Sequence, residues 1–120
     1  MPHFIKSLSF ALNGLKLVLK EKHFKIHLII SLIVLLAGFY FNICGTEWLI
    51  LLLCIGLVLS LETINTAIEY LVDFVEPNQN PKAGAIKDLS AGAVLIGSII
   101  SIIIGIMIFG KYSLDLLSTL

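Results

Sequence analysis

Residues 48–75 read WLILLLCIGLVLSLETINTAIEYLVDFV, an apolar run that changes character at Glu62 without a proline or any other helix breaker. A bilayer core of about 30 Å is crossed by about 20 mostly apolar residues at roughly 1.5 Å each. The segment is therefore a membrane helix, longer than the bilayer requires, and its last two turns should project into the cytoplasm. Trp48 opens it at the depth where aromatic residues favour the interface. Each residue of an α-helix turns about 100°, so with Glu62 at zero, Asn65 falls near −60°, Glu69 near −20°, Asp73 near +20° and Glu76 near −40°. Five polar side chains thus share roughly 80° of arc. Glu62 lies 14 residues beyond Trp48, where an ionisable group costs at least about 2.5 kcal/mol. Such residues face protein or water and mark function.

Outward from this stretch, two more runs are long enough to span, giving apolar segments at about 26–44, 48–68 and 91–110. The chain has 120 residues, 58% hydrophobic and only 13% charged, with a mean hydropathy of +1.05. Soluble domains are nearer 25% charged. About 25 residues precede the first run and no small-residue cleavage site follows it, which favours a retained span over a signal peptide. Gly38 is expected to break that span, which ends near Asn42 to Gly45. The fold class is thus an all-α membrane protein with three transmembrane helices, at about 26–44, 48–75 and 86–110, within a single domain over 1–120.

The net charge is zero, and nothing in it points to nucleic acid. Lys6, Lys16, Lys20, Lys22 and Lys25 precede the first span, Lys82 and Lys87 follow the second, and Lys111 follows the third. The positive-inside rule places the N-terminus and the 74–90 loop in the cytoplasm, with Lys111 as the one exception. Over 4–22, Phe4, Ile5, Leu8, Leu12, Leu15 and Leu19 gather opposite Lys6, Ser9, Asn13, Lys16 and Lys20, the pattern of an amphipathic helix on the membrane surface. Cys44 and Cys54 lack a CxxC partner and read as small packing residues. Ala93, Gly97, Ser101 and Gly105 recur at intervals of four, as in close helix packing in lipid.

Opposite charge comes from the loop. Pro77 and Pro81 bracket Glu76–Lys82, and Lys87-Asp88 is expected to begin the third spanning helix after Gly84. A lysine at a helix start, with the free N–H groups there, suits a phosphate. Carboxylates near it suit a hard divalent cation shared with phosphate oxygens, and phosphoryl transfer further needs a base on the attacking hydroxyl. Neither a Walker loop nor a kinase-type glycine loop is present. The same stripe also reads as a structural hydrogen-bonding seam or as a proton or cation path in a non-enzymatic oligomeric module.

ETINTAIEYLVDFV (62–75) followed by GAIKDLSAGAVLI (84–96) strongly resembles the small bacterial membrane lipid kinases, the diacylglycerol kinase and undecaprenol kinase family. The pattern E-x-x-N-[ST]-x-I-E-x-x-x-D is fully present, and the likeness covers about residues 10–110. It implies a homotrimer in the bacterial inner membrane, each subunit with a surface helix and three spans and with active sites shared between subunits. It also implies ATP, magnesium and a membrane lipid alcohol, undecaprenol or diacylglycerol, as partners. Carried over, Glu62 is the catalytic base, with Asn65 beside the reacting groups. Glu21 and Glu69 hold magnesium with the nucleotide, and Asp73, Asn80, Lys87 and Asp88 serve the nucleotide end. Two departures stand out. His27, in EKHFKIHL (21–28), replaces an acid usual in the diacylglycerol branch, and EPNQNPKAG (76–84) lacks the family's E-Y-H run.

Overall fold

The structure, a computed structural model, describes residues 2–120. Four helices follow one another: α1 (Pro2–Val18), α2 (Lys22–Phe41), α3 (Gly45–Val75) and α4 (Pro81–Ser118). The last three are long and apolar enough to cross a membrane. Their apolar residues point outward as well as inward: Leu36, Leu53 and Met107 are each about 70% exposed. An all-round apolar surface is what a lipid-facing helix presents. The amphipathic residues of α1 behave alike, with Phe4, Ile5, Leu8 and Leu12 exposed and Val18 buried against the bundle.

α3 and α4 pack along one another in opposite directions, joining Asn65 to Ser90, Val58 and Leu61 to Gly97, and Glu47 to Lys111. α2 packs less extensively on α3, and α1 touches it only lightly. The result is a flat molecule of 58 × 44 × 21 Å. Its buried apolar core lies at one end, where Ile43, Leu51 and Ile108 pack among Phe41, Trp48, Phe109 and Tyr112. At the same end Glu47, 8% exposed, accepts the Cys44 N–H at 3.1 Å, the Tyr112 hydroxyl, and Lys111 Nζ at 2.7 Å. Lys111, the exception to the charge rule, is thus an ion-pair partner of the helix beside it.

Several boundaries differ from the sequence expectation. Gly38 does not break α2; a Cβ there would lie 2.7 Å from Trp48 Cη2, so the glycine makes room for the indole. The helix stops instead at Asn42, in the left-handed conformation with φ 51°, a common helix ending. α1 ends at Val18, four residues short of the expected 22. α4 begins at Pro81 rather than near 86, because proline suits the first helical position and Asn80 caps it. The Asn80 Oδ1 accepts the N–H groups of Lys82 at 2.9 Å and Ala83 at 3.4 Å, and its carbonyl accepts that of Gly84. Lys87 therefore sits in the second turn, not at the helix start, and the amides expected to favour a phosphate are already engaged. Among the glycines of α4, Gly97 meets α3 closely, while Ser101 and Gly105 line a groove. Cys44 is exposed beside the α3 start rather than packed.

Candidate active site

The α-helical period brings the stripe to one face of α3, and each member then meets a different neighbour. Glu62 is 5% exposed, and its Oε2 lies 3.7 Å from Nε2 of His27 on α2. Asn65, 7% exposed, donates from Nδ2 to Glu69 Oε1 at 3.0 Å and accepts the Ser90 hydroxyl of α4 on Oδ1 at 2.7 Å. Glu21 occupies the cap position of α2 without capping it; its carboxylate accepts the hydroxyl of Tyr70, the residue after Glu69. Asp73 pairs with Lys87. Thus α2, its N-terminal junction and α4 all converge on the last four turns of α3.

Two spaces adjoin this face. An apolar groove of about 540 Å³ runs between α2 and α4 over a floor of α3, from His27 through Ser31, Leu51 and Ser98 to Phe109. A polar hollow of about 600 Å³ lies at the opposite end of the stripe, bounded by Asp73, Glu76, Asn78, Asn80 and Lys87. Both volumes lie within the range of small-molecule sites, roughly 300–1,000 Å³. Glu62 stands by the groove through its contact with His27; Asp73 and Lys87 line the hollow. Glu69, about 10 Å further along the axis than Glu62, lies between them.

The predicted residues do not all assemble. Asn65, Glu69, Asp73 and Lys87 gather along the α3–α4 contact, Glu62 continues the stripe against His27 of α2, and Glu21 is tied to α3 through Tyr70. Asp88 is exposed and is not among the residues bounding the hollow, because a turn of about 100° separates it from Lys87. Asn80 bounds the hollow, but its carbonyl oxygen is committed to capping α4. Among the described residues, no three His, Cys, Asp or Glu side chains gather as a metal-binding group. Ser90 and Tyr70 were absent from the sequence reading. Ser90 lies three residues after Lys87 and so shares its helix face; nothing in the sequence singles out Tyr70 beyond its position next to Glu69.

A profile of the prokaryotic diacylglycerol kinases matches residues 9–109. The undecaprenol kinase of Bacillus subtilis is 41% identical over 88% of this chain and 87% of that protein. A diacylglycerol kinase of Helicobacter pylori is 33% identical over 92% of this chain and 84% of its own length. Another, from Haemophilus influenzae, is 28% identical over 91% and 94%. With a profile match that runs from the second half of α1 through α2, α3 and the whole polar stripe to residue 109 of α4, the chain belongs to the prokaryotic diacylglycerol kinase family and is a lipid kinase.

Proposed function

We propose that this kinase transfers the γ-phosphoryl group of ATP directly to the hydroxyl of a membrane lipid alcohol, undecaprenol or diacylglycerol, in a magnesium-dependent reaction. The observation that carries the proposal is the order along α3: a buried carboxylate at the apolar groove, then a polar hollow with a lysine about three turns away. An acceptor delivered from lipid and a donor delivered from water meet on one helix face. Undecaprenol is the favoured acceptor, since the 41% identical relative is named for it.

In this reaction Glu62 accepts the hydroxyl proton as the lipid oxygen attacks the γ-phosphorus. The bond to the β–γ bridging oxygen breaks, and ADP leaves with that electron pair. No covalent phosphoenzyme is invoked, because no activated nucleophile accompanies the stripe. Asn65 holds Glu69 beside the reacting groups, and Lys87 carries positive charge to the hollow, where phosphate competes with Asp73 for it. Glu69 and Glu21 fit magnesium: each offers hard oxygen, with one oxygen engaged by Asn65 or Tyr70 and a second left over. Two carboxylates suit an ion that completes its shell with phosphate and water rather than a protein cage. When bound, it neutralises phosphate charge during transfer. We place the protein in the bacterial inner membrane as a homotrimer, with its N-terminus and the hollow facing the cytoplasm.

The test is phosphorylation of undecaprenol and diacylglycerol, side by side, by the purified protein with labelled ATP and magnesium. Glu62→Gln should lower the rate on the order of 10²–10⁴-fold, the usual contribution of a positioned general base. Failure to label either lipid, with Glu62→Gln indistinguishable from the parent, overturns the proposal.

A further inference from the structure

We propose that Ser90 is a positioning residue of the kinase, acting through Asn65 to fix the carboxylate of Glu69. This rests on the site proposed above but concerns a residue outside the stripe. An asparagine amide has one acceptor end and one donor end, and it can be turned either way. A carboxylate only accepts, so the amide end that faces Glu69 has to be the N–H end, and that contact is made at 3.0 Å. The oxygen is then turned toward α4, where the Ser90 hydroxyl donates to it at 2.7 Å. The chain has one polarity, from the Ser90 hydroxyl to the Asn65 carbonyl and from the Asn65 amide to the Glu69 carboxylate. Reversing the amide would set its oxygen against Glu69 and lose that bond, while the Ser90 hydroxyl would have to turn and accept the N–H instead.

Burial makes the arrangement count. Asn65 is 7% exposed, and in such low-dielectric surroundings hydrogen bonds strengthen while unmet polar groups become costly. With alanine at position 90, the buried Asn65 oxygen loses its partner and the side chain loses its anchor on α4. Asn65 then holds Glu69 less firmly. Ser90 also ties the face of α4 that carries Lys87, since positions 87 and 90 share a side of that helix. One hydroxyl thus anchors the amide that holds a carboxylate and ties α3 to the helix that brings the lysine.

The comparison is Ser90→Ala with Ser90→Thr, in the full chain in detergent or nanodiscs. Ser90→Ala should lower kcat about tenfold, the effect of one hydrogen bond to a group that orients a charge. It should raise half-saturating magnesium several-fold and leave the KM for the lipid alcohol unchanged. Ser90→Thr keeps the hydroxyl and should restore all three to within about threefold of the parent, on the same hydrogen-bond scale. Independently of activity, the side-chain amide signals of Asn65 in the metal-free protein, assigned with Asn65→Asp, should move in Ser90→Ala and hold in Ser90→Thr. Unmoved Asn65 signals, or a loss in Ser90→Ala confined to the lipid KM, overturn the inference. If Glu69→Ala proves as active as the parent, the site reading itself fails, a result distinguishable from failure of the Ser90 relay.

Discussion

Gly97 is a point of close approach between α3 and α4, and enlarging it should disturb the stripe directly. A Cβ there would lie 2.9 Å from Leu61 Cδ1 and 4.0 Å from Val58 Cγ2. Only the first is a clash, and its atom is the end of a flexible side chain. Gly97→Ala should gain about 1 kcal/mol of helix propensity and lose about 1–3 kcal/mol to overpacking. The net expectation is a destabilisation of up to about 2 kcal/mol. Gly97→Ile cannot be absorbed by turning Leu61 and must push α3 from α4. Because Glu62 follows Leu61, a displacement near 1 Å should cost activity on the order of a hundredfold. Unfolding in mixed detergent micelles reads the first effect and labelled-ATP transfer the second. The decisive measurement is a cycle with Leu61→Ala, which removes the clashing atom. Gly97→Ala should then stabilise by about 1 kcal/mol, giving a coupling of about 1–3 kcal/mol, the size of the overpacking loss. If Gly97→Ala is equally harmful with and without Leu61, or if Gly97→Ile keeps full activity, the contact is not what holds the two helices in register.

Other outcomes follow from the same geometry. Tyr70→Phe should raise the magnesium needed for half-maximal activity by a few-fold, the scale of one lost hydrogen bond to Glu21, while far-ultraviolet circular dichroism stays unchanged. His27→Leu, which removes the ring nitrogen beside the buried Glu62, should lower kcat more than nucleotide affinity, whereas His27→Gln, which keeps an N–H near the Nε2 position, should recover most of it. Glu47→Lys and Lys111→Glu should each lower the midpoint of thermal unfolding, and the double exchange should recover part of the loss. Cys44 is exposed, and the proposed orientation puts its loop on the outer side, so a membrane-impermeant thiol reagent should label whole spheroplasts at Cys44; labelling only after lysis would reverse that orientation.

The helices were legible because lipid removes ambiguity: a backbone in hydrocarbon satisfies itself within a helix, so a long apolar run fixes the element, although α4 runs on to Ser118, past the expected end at 110. The end of α3 at Val75 followed from the proline after it. Where local chemistry decides, sequence spacing misled. Pro81 reads as a breaker by composition, yet its lack of an N–H makes it a helix opener once Asn80 caps the turn. Gly38 reads as a weak point, but the Trp48 indole makes it a contact. The shared face of Glu62, Asn65, Glu69 and Asp73 was a matter of period alone and could be read in advance. Their partners could not, since Ser90, His27 and Tyr70 become relevant only when separate helices meet.

The partners also separate a structural seam from a reactive face. A seam inside a membrane protein lowers its energy by satisfying each polar member. Asn65 meets that description, bonded on both sides, and so does Glu47, with three donors around it. Glu62 does not. It is the most buried acid among the described residues at 5% exposure, yet the His27 Nε2 beside it is 3.7 Å away, too far for a hydrogen bond. Removing so poorly satisfied a carboxylate should relieve the protein rather than weaken it. Glu62→Leu is therefore expected to unfold at a higher temperature than the parent while losing kinase activity, the opposition of stability and function typical of reactive groups. A seam predicts the reverse, a marked loss of stability, and thermal unfolding of that one variant distinguishes the two.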